Sequence, residues 1–206
     1  MGRNVFVSFR FADWNDYKEQ ICEVLKKKST SYDFSEDEDR SKMTEETIKK
    51  YLYKKLKEVS VVIILLTPQA LYYKKNIFGK YDDWCYDEVR YALEDREDNR
   101  TSGLIAVYVP EVQNSIITKS NHKCSKCGIE STVSTISNFE HLFKKNMMNV
   151  YPEHKHNKCD GIYDSLYDSY CSLVSLDEFI KEPDKYIENA FYKKENIDKY
   201  KIYKHL

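Results

Sequence analysis

Glycine is scarce in this sequence. It holds five glycines among 206 residues, and no two of them lie close together. Walker A loops and the glycine-rich turns that bind dinucleotides both need clustered glycines, because only a bare backbone can approach a phosphate closely. The sequence therefore excludes both kinds of nucleotide site, and any nucleotide must be held by side chains instead.

A surplus of charge is also missing. The chain carries 33 basic and 34 acidic side chains, which gives a formal net charge of −1. Proteins that bind nucleic acid through its phosphate backbone need a basic surplus. We therefore do not expect nucleic acid to be a general partner, although residues 144–145 and 154–156 form a local basic patch.

Long hydrophobic runs are absent as well. The longest one, over residues 59–67, is less than half the length of about 20 residues that a membrane-spanning helix needs. The apolar stretch near the N-terminus is broken by Arg10 and Asp13, unlike a signal peptide. We therefore expect a cytoplasmic protein without a membrane partner, in which clustered cysteines favour metal binding over disulfides.

The hydrophobic residues that are present, 41% of the chain, suffice for a core, and their pattern alternates between strand and helix. Short apolar runs predict strands over residues 4–9, 32–35, 60–67, 104–109 and 170–175. Helical spacing predicts helices over residues 13–28, 84–96 and 183–194, and a further helix that begins at Thr44. This alternation predicts an α/β fold, a five-stranded parallel sheet with helices on both faces.

Residues 111–168 interrupt the alternation. The stretch is polar and has no sustained periodicity. We therefore interpret it as a Cys/His-rich insertion between strands four and five of a single domain over residues 1–206. The charged, tyrosine-rich stretch over residues 195–206 is expected to fray or to pack late.

The insertion holds a cluster of cysteines and histidines. Cys124 and Cys127 form a C-x2-C knuckle closed by Gly128, which matches half of a structural zinc site. An H-x2-C spacing offers the other half, so the predicted ligands of Zn²⁺ are Cys124, Cys127, His156 and Cys159, with His122 and His154 as alternatives to His156. Four protein ligands make a closed structural site, and zinc would supply folding energy to a segment without a core of its own.

Candidate chemistry gathers at the carboxyl ends of the predicted strands, where open α/β sheets bind their ligands. Ser8, Phe9 and Arg10 follow the first strand. Trp84 and Glu88 lie one turn apart at the start of the third helix, so the aromatic ring and the carboxylate face one crevice. Spacing alone is more typical of surface packing beside a solvated charge than of a catalytic pair.

The residues around Glu88 resemble a known signature. Residues 84–89 read W-C-Y-D-E-V and resemble the W-C-x-x-E-L signature of TIR (Toll/interleukin-1 receptor) domains. The opening strand, N-V-F-V-S-F, resembles the D-V-F-I-S-Y of that family, and residues 60–68 and 104–110 resemble its third and fourth strands. Residues 176–190 are similar to the ending of bacterial TIR-like proteins of Thoeris anti-phage defence.

The resemblance implies a flavodoxin-like TIR fold and cleavage of NAD⁺ at the bond between nicotinamide and ribose. Glu88 corresponds to the catalytic glutamate of the family, and Trp84 to the signature tryptophan of the pocket. Ser8, Phe9 and Arg10 correspond to the loop that faces the substrate, where Arg10 would pair with the pyrophosphate. The implied product is a cyclised or otherwise modified ADP-ribose that signals to a separate effector protein.

Two other functions stay open at this point. A catalytically silent TIR-like module would act as a scaffold or adaptor, and the intact Glu88 argues against it. A zinc-knuckle protein that binds nucleic acid would show salt-dependent binding to DNA or RNA, and the balanced charge argues against it. A homo-oligomer is compatible with each of these functions.

Overall fold

A computed structural model of the chain describes residues 3–9, 16–28, 32–33, 45–68, 70–71, 77, 84–95, 100–136, 141–157, 159 and 162–206. Along these residues the strands are β1 (Asn4–Ser8), β2 (Tyr32–Asp33), β3 (Val61–Leu66), β4 (Gly103–Tyr108), β5 (Ile117–Lys123), β6 (Glu130–Ile136) and β7 (Cys171–Ser175). The helices are α1 (Asp16–Lys28), α2 (Glu45–Lys57), α3 (Trp84–Leu93), α4 (Pro110–Ile116), α5 (His141–Lys145), α6 (Leu176–Lys181) and α7 (Pro183–Glu195).

The main sheet is parallel and has the spatial order β2-β1-β3-β4-β7. Its central strand β3 reads V-V-I-I-L-L and is buried along its whole length. A strand that is apolar on both faces needs cover on both faces. The predicted α/β fold with a parallel sheet flanked by helices is therefore confirmed.

The helices form two groups. Helices α1, α6 and α7 contact one another, whereas α3 contacts both α2 and α5. Right-handed crossovers place α1 on one face and α2 and α3 on the other, because the chain moves from β1 to β2 in one direction and from β2 to β3 and β4 in the other. Helices α6 and α7 follow the last strand and lie on the face of α1, which they contact. The carboxyl ends of β1, β3, β4 and β7 consequently share one edge, at which α3 and α4 begin.

Helix α7 lies unusually close to the start of β4. A Cβ atom at Gly103 would lie 2.4 Å from the backbone oxygen and 2.7 Å from the carbonyl carbon of Ala190. These atoms belong to the helix backbone, which cannot rotate away as a side chain can. One of the few glycines of the chain therefore permits the contact between helix and sheet.

The structure distinguishes two parts within residues 111–168. After α4, strands β5 and β6 form an antiparallel hairpin, and the side chains of residues 118–123 are all exposed. Helix α5 then contacts α3. It and the turn after it bring four side chains into the main core, namely Leu142, Phe143, Met147 and Val150. The hairpin thus extends from the domain, whereas residues 141–150 are part of the domain core.

The C-terminal residues pack along this same segment. The side-chain amide of Asn146 donates to the carbonyl of Tyr203 at 2.8 Å and accepts from its N–H at 2.9 Å. The amide of Asn149 donates to the carbonyl of Lys201 at 2.9 Å, and Tyr200 is buried against the ring of Tyr170. Backbone bonds join the same segments, from the N–H of Lys201 to the carbonyl of Asn149 at 2.8 Å and from the N–H of Tyr151 to the carbonyl of Lys199 at 2.9 Å. The stretch is therefore packed rather than frayed, and the expectation of fraying is wrong.

A lysine lies fully buried beneath β7. The ammonium group of Lys193 donates to the carbonyls of Leu166 and Ser169, at 2.9 and 2.7 Å, and to the hydroxyl of Ser172 at 2.6 Å. All three acceptors are neutral. Burial lowers the pKa of Lys193 to about 7, because a charged ammonium loses its hydration there.

This lysine makes stability depend on pH. Between pH 7 and 9 the unfolded chain keeps a lysine proton that the folded chain has lost, so the free energy of unfolding rises with pH, by about 2 kcal/mol over this range. In Lys193→Met we expect that part of the rise to disappear, as measured by urea unfolding at pH 7, 8 and 9. Lys181→Met removes an exposed lysine and should keep the slope of the natural protein. If stability rises equally with pH in both variants, the lowered pKa does not belong to Lys193.

Candidate functional site

Ser8 and Glu88 meet at the carboxyl edge of the sheet. Ser8 is the last residue of β1 and Glu88 lies on the second turn of α3, 80 positions later in the chain. The side chains are 4% and 6% exposed. The hydroxyl of Ser8 donates a hydrogen bond to a carboxylate oxygen of Glu88. The structure thus brings together two of the residues predicted from the sequence.

A buried carboxylate is costly unless hydrogen bonds stabilise it. Glutamate is among the residues that are almost never buried without a partner. The bond from Ser8 satisfies part of that requirement and fixes the orientation of the carboxylate. In surroundings that exclude most water, its charge acts on a bound cation more strongly than it would at the surface.

Phe9 lies at the same edge and makes a cation–π contact. Its half-buried ring packs against the core, and the ammonium of Lys18 lies 4.4 Å from the ring centre. Lys18 is itself buried, and sequence reasoning missed it. The available signal was its helical spacing, because Lys18 is in register with the apolar positions Ile21 and Leu25 of α1.

The two remaining predicted residues of the site are described only in part. The backbone of Trp84 begins α3, one turn before Glu88, as the sequence predicted. The side chain of Trp84 and the whole of Arg10 lie outside the described residues. Their contacts with a substrate stay predictions.

A second group of side chains lies at the tip of the β5–β6 hairpin. The sulfur atoms of Cys124, Cys127 and Cys159, hereafter the thiol cluster, all lie within 4.8 Å of one another and could hold a metal ion. The sulfurs of Cys124 and Cys159 are 3.1 Å apart. A hydrogen bond from the Cys159 thiol, aided by backbone N–H groups of Cys127 and Lys126, lowers the pKa of Cys124 to about 7. A lowered pKa favours the thiolate, the form that binds metal.

The predicted histidine ligand lies apart from these sulfurs. The exposed imidazole of His156 stacks on the ring of Tyr167, with 5.0 Å between the ring centres, and its backbone N–H bonds to Asp168. The side chains of His122 and His154 are exposed as well. Within the described residues, the group that could hold a metal contains three of the four predicted ligands and no histidine.

Comparison with known families supplies the context for both groups. A family model described as TIR domain matches residues 5–127, more than half of the chain. The matched region runs from β1 into the hairpin, and it includes Ser8, Phe9, Arg10, Trp84 and Glu88. Along the residues that the structure describes, every helix is too short or too polar to span a membrane.

Proposed function

This chain belongs to the TIR domain family, and from that premise we propose that it cleaves NAD⁺ at the bond between nicotinamide and ribose, with Glu88 as the catalytic residue. One observation carries the proposal. A buried carboxylate, oriented by Ser8, lies at the edge where α/β sheets bind ligands. Both residues fall within the region that matches the family.

The chemistry suits a site with a single carboxylate. The bond from C1′ of the ribose to the nicotinamide nitrogen breaks, and its electron pair leaves with the nicotinamide. Because the pyridinium ring is already cationic, nicotinamide departs as a neutral base and needs no general acid. The remaining sugar develops positive charge as an oxocarbenium-like species. Attack by water and loss of its proton gives ADP-ribose, and attack by a group of the same molecule gives a cyclised product.

Glu88 would act on the charge that develops during this step. Its carboxylate would accept hydrogen bonds from ribose hydroxyls and lie near the positive sugar ring, which stabilises the transition state more than the ground state. Ser8 would act as a positioning residue, because it holds the carboxylate in one orientation. Such preorganisation avoids a cost of rearrangement at the moment of reaction.

Side chains would hold the rest of the substrate. Trp84 would line the nicotinamide pocket beside Phe9, and Arg10 would pair with the pyrophosphate. This arrangement accounts for nucleotide binding in a chain without clustered glycines. The buried ammonium of Lys18 adds positive charge to the same edge, and electrostatic attraction of this kind favours an anionic nucleotide.

The product would serve as a signal. We propose that this cytoplasmic protein converts NAD⁺ to a cyclised or modified ADP-ribose that a separate effector protein recognises, as in Thoeris anti-phage defence. Assembly into a homo-oligomer would complete or activate the site. The resemblance of residues 176–190 to the Thoeris proteins supports this role.

Incubation of the full chain with NAD⁺ tests the proposal. We expect the release of nicotinamide and the formation of one nucleotide product. Chromatography measures both. Mass spectrometry separates ADP-ribose from a cyclised form, which is lighter by one water. An assay with crowding agents tests whether assembly activates the protein. An assay with lysate of phage-infected cells tests whether a trigger from infection is needed. If nicotinamide is released under none of these conditions, the scaffold function is favoured instead.

A further inference from the structure

We propose that Cys124, Cys127 and Cys159 bind one Zn²⁺ ion, which joins the tip of the β5–β6 hairpin to the segment over residues 155–159. The site lies in the hairpin and the chain that returns from it, and none of its ligands belongs to the proposed NAD⁺ site. It therefore stands or falls independently of the proposed reaction.

The hairpin needs such a connection. Ile117 at the base of β5 packs against the core, but the side chains of the rest of the strand, Thr118 to Lys123, are all exposed. A two-stranded hairpin that pairs with no further strand is marginally stable in water. Its cross-strand ion pair, Lys123 with Glu130 at 3.7 Å, is exposed and contributes little. The hairpin therefore requires another source of stability.

The turn at the tip has the geometry of a metal knuckle. Backbone N–H groups of Lys126 and Cys127 bond to the sulfur of Cys124, which orients the sulfur and stabilises its charged form. The N–H of Gly128 bonds to the carbonyl of Cys124 at 2.9 Å. Gly128 has a φ of +72°, and a Cβ there would meet nothing within 4 Å. Glycine is thus used for its backbone conformation, which lets both thiols face one point.

The third sulfur comes from Cys159, whose backbone is hydrogen-bonded to described residues. The N–H of Cys159 bonds to the side-chain oxygen of Asn157 at 2.8 Å. The ammonium of Lys155 donates to the carbonyl of Cys159, and its nitrogen lies 4.1 Å from the ring centre of Tyr163. Lys155 is buried. Its positive charge lies next to a site that gains negative charge when three thiolates bind a divalent ion, which favours the loaded state.

The ligand set selects the metal. Three thiolates are soft ligands that suit Zn²⁺ and disfavour magnesium or calcium. With Zn–S bonds of about 2.3 Å in a tetrahedron, the sulfurs would lie about 3.8 Å apart. The sulfurs here are no more than 4.8 Å apart, and those of Cys124 and Cys159, at 3.1 Å, would separate slightly when the ion binds. His156, three residues before Cys159, would supply the fourth ligand after its ring leaves the stack on Tyr167.

Metal analysis of the purified full chain is the first test. Under reducing conditions and without chelator, elemental analysis should give about one zinc per chain. In Cys124→Ser and in Cys159→Ser the zinc content should fall at least about tenfold. Cys22→Ala removes a buried thiol of α1 that lies outside the thiol cluster, and it should keep the zinc. A natural chain without zinc, or a Cys159→Ser variant that keeps it, would overturn the proposal.

A second test does not depend on how the variants fold. Stepwise modification of the natural chain with an organomercurial should release zinc as the clustered thiols react, and a chromogenic chelator reports the release. Removal of zinc by a chelator should accelerate cleavage by trypsin at the hairpin lysines at least about tenfold, while the core fragment survives. Equal cleavage rates with and without the metal would show that no ion stabilises the hairpin.

Discussion

Replacement of Glu88 by Gln is expected to lower the rate of nicotinamide release from NAD⁺ by at least about 100-fold. The amide has nearly the same shape as the carboxylate, and its oxygen can still accept the hydrogen bond from Ser8. The negative charge is lost, and one of the two acceptor oxygens becomes an NH2 donor. Because that charge is proposed to stabilise the oxocarbenium-like sugar, the loss should fall on kcat, with little change in KM.

The neighbouring carboxylate provides a matched control. Asp87 lies one residue before Glu88 on α3, is partly exposed, and pairs with Arg90 at 3.7 Å. Asp87→Asn removes the same charge from the same helix, and we expect turnover within about threefold of the natural protein. If Glu88→Gln retains full turnover, Glu88 is not the catalytic residue, even though the chain cleaves NAD⁺. Thermal melting checks that both variants fold.

Addition of one methyl group at Gly103 is expected to destabilise the domain by about 3 kcal/mol. In Gly103→Ala the new Cβ would lie 2.4 Å from the backbone oxygen of Ala190, far inside van der Waals contact. Helix α7 would have to move away from β4, which would loosen the packing of both elements. The free energy of unfolding, from urea titration followed by circular dichroism, measures the effect.

A second glycine separates crowding from backbone conformation. Gly128→Ala adds the same methyl group where nothing lies within 4 Å, but at a φ of +72°. Its cost in the metal-free protein should be about 1 kcal/mol, from the strained backbone alone. A smaller loss in Gly103→Ala than in Gly128→Ala would mean that α7 can move from β4 without penalty.

The strands of the main sheet could be predicted because their burial leaves a strong pattern. The run V-V-I-I-L-L of β3 is apolar on both faces, as a central strand must be. The β5–β6 hairpin could not be predicted, because the exposed strand I-T-K-S-N-H-K has no alternation of apolar and polar residues. The pattern reports burial, so it misses a strand such as β5, whose side chains after Ile117 are all exposed.

The site could be predicted to a different degree for each residue. Spacing alone left Glu88 as one of many surface carboxylates, and only the resemblance to TIR domains, which the family match confirms, singled it out. Lys18 was missed because a lysine on a helix is usually exposed, whereas here Phe9 covers it. The thiol cluster followed from the C-x2-C spacing, but the orientation of the His156 ring depends on Tyr167, which no spacing rule includes.

The length of the hairpin has a mechanical consequence. Strands of seven residues at a rise of about 3.4 Å per residue make a ribbon about 24 Å long, longer than the radius of gyration of about 17 Å for a domain of this size. A ribbon held only at its base would act as a lever, whose tip moves far for a small rotation. If the metal also holds its tip to Cys159, the hairpin is fixed at both ends. A force that a bound molecule exerts on the tip is then transmitted to residues 155–159.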